Sequence, residues 1–221
     1  MKLKAIGEAL LDMLYPRGLT CACCGREAIV DEDMLCEDCA GGTERFVSAP
    51  LIENVAGYTA GLNYNDVSGG MVKQLKYGGK TYLAPVLAGL VRVPKSWEID
   101  AVTPVPLHPN RLRERGFNQS ELIARELCKR YGFELAPHLL ERTSDTASQA
   151  GLSGAARRRN LKGAFRASEE CRGLTVLLVD DVRTTGSTLS ACASALLGAG
   201  CKRVYAATVC YAPEHGRTDR V

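Results

Sequence analysis

Residues 175–188, Thr-Val-Leu-Leu-Val-Asp-Asp-Val-Arg-Thr-Thr-Gly-Ser-Thr, constrain the fold of this chain more than any other segment. Thr175 to Val179 is β-rich and carries no polar alternation, so it reads as a strand buried on both faces, as in a parallel sheet. Asp180 and Asp181 follow at the carboxyl end of that strand, where open parallel sheets bind their ligands. The loop Thr184-Thr185-Gly186-Ser187-Thr188 then offers successive backbone N–H groups and several hydroxyls, the makings of an anion nest. A helix predicted over Leu189–Leu197 turns its positive end toward the same place. Two acids for sugar hydroxyls beside a phosphate cradle point to a ribose 5-phosphate.

Gly78-Gly79-Lys80-Thr81 ends like a nucleotide-triphosphate loop, but that pattern needs a glycine where this chain has Gln74. Val67–Lys76 reads as a helix rather than a strand, so the glycine pair is the turn into a second helix, Thr81–Arg92. A nucleoside triphosphatase is disfavoured.

A chain of 221 residues with 46% hydrophobic content can bury one α/β domain and a small appendage. The first fifteen residues alternate apolar and charged positions, with Glu8 and Asp12 interrupting, which fits an amphipathic helix and not a secretory signal. No apolar run approaches the roughly twenty residues needed to cross a bilayer, so a cytoplasmic location is expected.

Ten cysteines without an export signal do not read as a disulfide framework. Cys21-x2-Cys24 and Cys36-x2-Cys39 have the spacing of two knuckles that direct four thiolates at one structural zinc ion. Cys23 is a spare that could replace Cys21 as ligand. Such a site would hold together a segment too small for its own core, giving a zinc module over residues 1–45 and an α/β domain over 46–221. Cys128, Cys171, Cys192, Cys201 and Cys210 are scattered and read as packing residues.

Charge is uneven. Leu107 to Arg166 carries twelve Lys and Arg against six Asp and Glu, a net of +6 that leaves −3 to the rest of a chain of +3. A basic segment beside a phosphate cradle fits a polyanionic ligand. Ile52 to Thr59 is strand-like. Ala101 to Val105 reads as a strand ended by Pro104 and Pro106. The loop after it, which includes Leu107, His108, Arg111, Arg113 and Arg115, leads to a helix over Ser120–Tyr131 capped by Asn118 or Ser120. Arginine forks match phosphate oxygens, and this loop lies on the same sheet edge as the acids. Between a strand over Leu139–Arg142 and Phe165 lies a long polar stretch bearing Arg157, Arg158 and Arg159, and stretches of that length are usually functional or disordered. A last strand, Arg203 to Cys210, closes the sheet.

The 175–188 segment resembles the phosphoribosyl-pyrophosphate (PRPP) signature of type I phosphoribosyltransferases. The resemblance implies their parallel sheet flanked by helices, and assigns Thr184, Thr185, Gly186, Ser187 and Thr188 to the 5′-phosphate. It assigns Asp180 and Asp181 to the ribose hydroxyls and to catalysis, Leu107, His108, Arg111 and Arg115 to a pyrophosphate loop, and Arg157–Arg159 to a flexible hood. With the zinc knuckles, Leu75-Lys76-Tyr77, Val105-Pro106-Leu107-His108-Pro109, Arg113-Glu114-Arg115-Gly116-Phe117-Asn118-Gln119, Gln149-x2-Leu152 and Arg157-x2-Asn160, the whole chain resembles the ComF family (ComFC and GntX-type proteins). Arg183 falls at a variable position of the signature, and Ala156 stands where relatives often carry an acid.

Family resemblance implies a link to natural transformation and DNA uptake, with two readings of the activity. One is Mg²⁺-dependent phosphoribosyl transfer from PRPP to an unidentified acceptor. The other is a non-catalytic module that binds single-stranded DNA or competence-machinery proteins on the same scaffold. The aromatic content of 6% weighs against a dedicated strand-binding groove, since such grooves stack bases on rings.

Overall fold

The computed structural model describes residues 19–144, 161 and 163–213. The expected N-terminal helix and the arginines Arg157, Arg158 and Arg159 lie outside the described residues.

The apolar run of residues 175–179 forms the centre of a five-stranded sheet with all neighbouring strands parallel. In chain order the elements are α1 (Glu37–Gly41), β1 (Gly57–Asn63), α2 (Asp66–Tyr77), α3 (Leu83–Leu90), β2 (Ala101–Pro104), α4 (Pro109–Arg115), α5 (Gln119–Tyr131), β3 (Glu134–Leu135), β4 (Leu140–Arg142), β5 (Phe165–Ala167), β6 (Thr175–Arg183), α6 (Ser187–Gly198) and β7 (Arg203–Tyr211). The sheet order is β1-β7-β6-β2-β3, and β4 pairs separately with β5 in an antiparallel ribbon. That ribbon brings together the two ends of residues 143–164.

Both faces of the sheet are covered. Leu177 and Val179 point into a core shared with Met71, Leu75, Leu87, Ile123 and Leu127 of α2, α3 and α5. Val176 and Leu178 point into a second core with Leu189, Cys192 and Leu196 of α6. Burial of this kind contributes about 25 cal/mol per Å² of apolar surface, and it explains why a strand with the apolar run Val176–Val179 is central rather than at an edge. The five scattered cysteines, Cys128, Cys171, Cys192, Cys201 and Cys210, are all buried, as packing residues should be.

Three local expectations change. β6 runs on through Asp180 and Asp181 to Arg183, because β7 continues beside it, pairing Asp180 with Thr208 and Arg183 with Tyr211. β1 starts at Gly57 rather than Ile52, because Asn54 takes a positive φ of 66° and Val55 N–H closes a turn on the Ile52 carbonyl at 3.1 Å. The stretch after β2 is not all loop. Pro109 at the first helical turn and a His108 cap start the short helix α4, with His108 Nδ1 accepting from the Asn110 amide at 3.3 Å. The remaining helices lie within a few residues of their expected bounds.

Candidate functional site

The site forms where β2 stops and β6 does not. β2 pairs with β6 only as far as Pro104 opposite Val179, and the Val105 amide makes the last bond to the Val179 carbonyl. Asp180 and Asp181 therefore keep β7 on one side and lose a strand neighbour on the other. The loop that follows β2 and the first turn of α5 fill the gap. Asn118 does this work: its Oδ1 caps α5 by accepting from the Ser120 amide at 3.0 Å, and its Nδ2 donates to the Val105 carbonyl at 3.0 Å.

Ser120, set in place by that cap, donates its hydroxyl to Asp180 Oδ1 at 2.8 Å, and the Asp181 amide donates to the same oxygen at 2.9 Å. Burial and the adjacent Asp181 charge push the Asp180 carboxyl up to about 7. These raising effects outweigh the opposing pull of Lys76 and the two donated bonds.

Asp181 is 3% exposed. Its Oδ1 accepts from the Val182 amide at 2.8 Å, and Lys76 Nζ stands 2.6 Å from its Oδ2. The second contact is ionic, since Oδ2 has no hydrogen-bond partner of good alignment. Burial works against the charge on Lys76, but the Asp181 and Asp180 carboxylates prevail and hold the ammonium above its ordinary range. Lys76 comes from the last turn of α2, a helix fixed at its other end by an Asn65–Ser68 capping box.

The anion loop is held by its own side chains. Thr185 and Ser187 hydroxyls share a bond of 2.7 Å, and the Ser187 amide donates to Thr185 Oγ1 at 3.1 Å. Gly186 takes a φ of +82° as the N-terminal cap of α6 and closes the first turn through the Ser190 amide at 2.9 Å. A side chain at that position would meet Ile52 and Arg183 at 3.2 and 3.3 Å. Thr184 is exposed and Thr188 half-buried, so the mouth of the loop is open.

The structure draws Asp180, Asp181 and residues 184–188 together, with Leu107 and His108 in the loop just beyond β2. Each of the loop arginines has its own surroundings. Arg115 turns its guanidinium over the Tyr77 ring at 5.2 Å and donates to Gln119 Oε1. Arg113 bonds Asn110, and Arg111 is half-buried at the start of α4. Lys76 and Ser120 complete the acid pair but were not singled out as site residues. Their lysine and serine types, on helices far from the acids in sequence, carried no local signal beyond the Leu75-Lys76-Tyr77 run.

The four-cysteine cluster is a second site. The sulfurs of Cys21, Cys24, Cys36 and Cys39 all lie within 4.8 Å of one another. Cys24 and Cys36 are 3.9 Å apart, against about 3.8 Å for two thiolates on a tetrahedral zinc with bonds of 2.3 Å. The Cys36 amide donates to Cys21 Sγ at 3.3 Å. Arg26 donates to Cys24 Sγ at 3.5 Å and brings that thiol down to about 6, which favours the thiolate a metal needs. Cys23 turns instead toward the Val67 carbonyl at 3.9 Å. The residues fit a structural zinc. Their surroundings are continuous with the main core, since Cys21, Leu35, Cys36 and Cys39 belong to the cluster that covers α2 and α3.

Among the described residues this is the one group of three or more His, Cys, Asp or Glu donors close enough for a metal. The Asp180–Asp181 pair, engaged by Lys76 and Ser120, is no cage for a cation. A magnesium ion there would be held mainly by ligand oxygens and water.

Lys80 of the glycine turn bonds Gln74 Oε1 at 2.6 Å and joins α2 to α3, with no strand before it. No helix among the described residues is long and apolar enough to cross a membrane.

A family model described as a phosphoribosyl transferase domain matches residues 117–220, which include the acids and the anion loop. The fold and this match define the chain as carrying a phosphoribosyltransferase-type domain. Three relatives carry the comparison further. The DNA utilization protein YhgH of Salmonella typhimurium is 36% identical over 63% of this chain and 65% of its own length. Competence protein F of Haemophilus influenzae is 40% identical over 41% of each chain. Competence protein ComFC of Bacillus subtilis is 27% identical over 83% of this chain and 73% of its own. The chain thus spans just under two thirds of the YhgH relative. The chain is similar to these competence and DNA-utilization proteins.

Proposed function

We propose that this protein binds PRPP with Mg²⁺ at the end of β6 and transfers the phosphoribosyl group to an acceptor, in a role tied to DNA uptake or utilization. The supporting observation is the placement of an acid pair, Asp181 buried and Asp180 half-buried, and an open anion loop at one strand end, Thr184 lying three residues after Asp181. In this reading residues 184–188 hold the 5′-phosphate, and the acids accept from the ribose hydroxyls. The acceptor attacks the ribose C1 while the bond to pyrophosphate breaks. The carboxylates then face the positive charge that develops on the sugar. Lys76 orients Asp181 through the contact at its Oδ2, and the Ser120 hydroxyl orients Asp180 through its Oδ1. Magnesium, when bound, would offset the charge of the leaving pyrophosphate. The relatives' names supply the DNA connection, and a cytoplasmic site of action accords with PRPP as donor.

A second reading, binding of single-stranded nucleic acid, draws on Tyr77. Its ring is 75% exposed beside Lys76 and carries the Arg115 guanidinium on it, which is the stacked arrangement that single strands use.

Calorimetric titration of PRPP into zinc-loaded protein, with and without Mg²⁺, tests the first reading. Micromolar, Mg²⁺-dependent binding that disappears in Asp180→Asn/Asp181→Asn is expected. Absence of binding in the wild type would remove the donor site, and salt-dependent binding of oligonucleotides would then favour the second reading.

A further inference from the structure

Arg183 stands one residue before the anion loop and is 4% exposed. Its guanidinium carbon lies 4.4 Å over the Tyr58 ring and 5.2 Å over the Tyr211 ring, and Phe46 packs edge-on against both rings. One nitrogen, Nη2, donates to the Pro50 carbonyl at 2.6 Å. The other two, Nε and Nη1, are buried with no acceptor. Nε faces the centre of the loop, 3.3 Å from where a Cβ on Gly186 would lie.

A guanidinium does not lose its proton in a protein, so this is a buried charge with two idle donors. Among the described residues the groups acting on that charge are the Tyr58 and Tyr211 hydroxyls, with no carboxylate. Ring faces recover part of the cost of removing a cation from water, and a carbonyl recovers a little more. Neither supplies an opposite charge, and an uncompensated buried ion is a standing cost to the fold. A latch between β6 and the Pro50 segment would need only the one bond to Pro50. A neutral side chain of similar length would fill the aromatic cage without the penalty. One of the unused donors, Nε, lies against Gly186 of the loop, whose mouth opens on solvent.

We propose that Arg183 is the counter-charge of the anion loop, awaiting a phosphate monoester dianion seated over residues 184–188. The inference rests on the phosphoribosyl reading for the ribose part of the ligand and on the loop alone for the phosphate part. It makes Arg183 a determinant of affinity for doubly charged phosphate and a burden on the ligand-free fold.

Calorimetry with ribose 5-phosphate, inorganic phosphate and ribose, on wild type, Arg183→Lys and Arg183→Met, tests this together with thermal melts without ligand. Arg183→Met is expected to melt at or above the wild-type temperature. It should bind ribose 5-phosphate and inorganic phosphate about tenfold to a hundredfold more weakly, the scale of a charge-assisted contact. Arg183→Lys, which keeps the charge, should retain most of the affinity. Equal binding of ribose 5-phosphate by Arg183→Met and wild type overturns the proposal and leaves the phosphoribosyl reading intact. Lower melting temperature and lost affinity in both variants make Arg183 a strut and also overturn it. Wild-type binding of inorganic phosphate, weakened in Arg183→Met, with no added affinity for ribose 5-phosphate supports the counter-charge and refutes the phosphoribosyl reading.

Discussion

Lys76 Nζ and Asp181 Oδ2 stand 2.6 Å apart, joining the end of α2 to the strand that carries the acid pair. The two residues come from opposite halves of the chain, and the contact sets a cation against the acid pair. Without the ammonium, the buried Asp181 would lose its ionic partner, and nothing from Lys76 would oppose the upward push on Asp180.

Lys76→Met leaves Asp181 buried and unpaired. Breaking a buried pair from one side costs about 3 kcal/mol or more, and urea denaturation at neutral pH should show a loss of that size. Lys76→Arg should recover a large part of it. An unchanged midpoint in Lys76→Met would mean that the pair contributes nothing to the fold.

Asp180 gives the protein a pH dependence of definite sign. Its carboxyl sits at about 7 when folded, against an ordinary value of 3.8, chiefly because burial and Asp181 disfavour its charge. The folded state then holds a proton that the unfolded state has released, so the contribution of Asp180 is full below about pH 4 and is lost as pH rises to about 7. Asp180→Asn removes this dependence. Thermal melts at pH 5 and pH 8 should show the asparagine variant gaining on wild type at the higher pH, by on the order of one to a few kcal/mol. A constant difference across that range would contradict the assignment.

Gly186→Ala strains the loop twice, through a φ of +82° and through the approach to Ile52 and Arg183. The backbone effect alone is about 1–2 kcal/mol. Lower stability with weaker binding of inorganic phosphate is expected in parallel melts and titrations, and a variant with wild-type phosphate affinity would remove the loop from the anion site.

Metal removal should be felt beyond the knuckles. Gln74 of α2 donates to the Cys23 carbonyl at 3.1 Å, and Asn65 at its N-terminus donates to the Gly42 carbonyl at 2.8 Å. Wild-type protein should contain one zinc per chain, and Cys36→Ser should lose it. Hydrogen exchange after chelation should speed up in residues 19–42 and also in α2, the helix that delivers Lys76. Exchange confined to the knuckles would show that α2 holds its place without the module.

The sequence alone determined what depends on neighbours in the chain. The buried strand at Thr175–Val179, the acid pair, the loop 184–188, the two cysteine knuckles and the helices around Gly78-Gly79 were all readable, because strand burial, helix capping and thiol spacing are written within about ten residues. Tertiary structure decided the rest. Strand β6 outlasts its expected end because β7 stays beside it, and β1 begins late because Asn54 takes a positive φ and Val55 closes a turn on Ile52. Lys76 meets Asp181, Ser120 meets Asp180, and Arg183 meets Tyr58, Tyr211 and Pro50. None of these pairings has a local signature. Each exists because parallel strands joined by crossover helices bring distant segments to one edge of the sheet, and the charge of the site is set there.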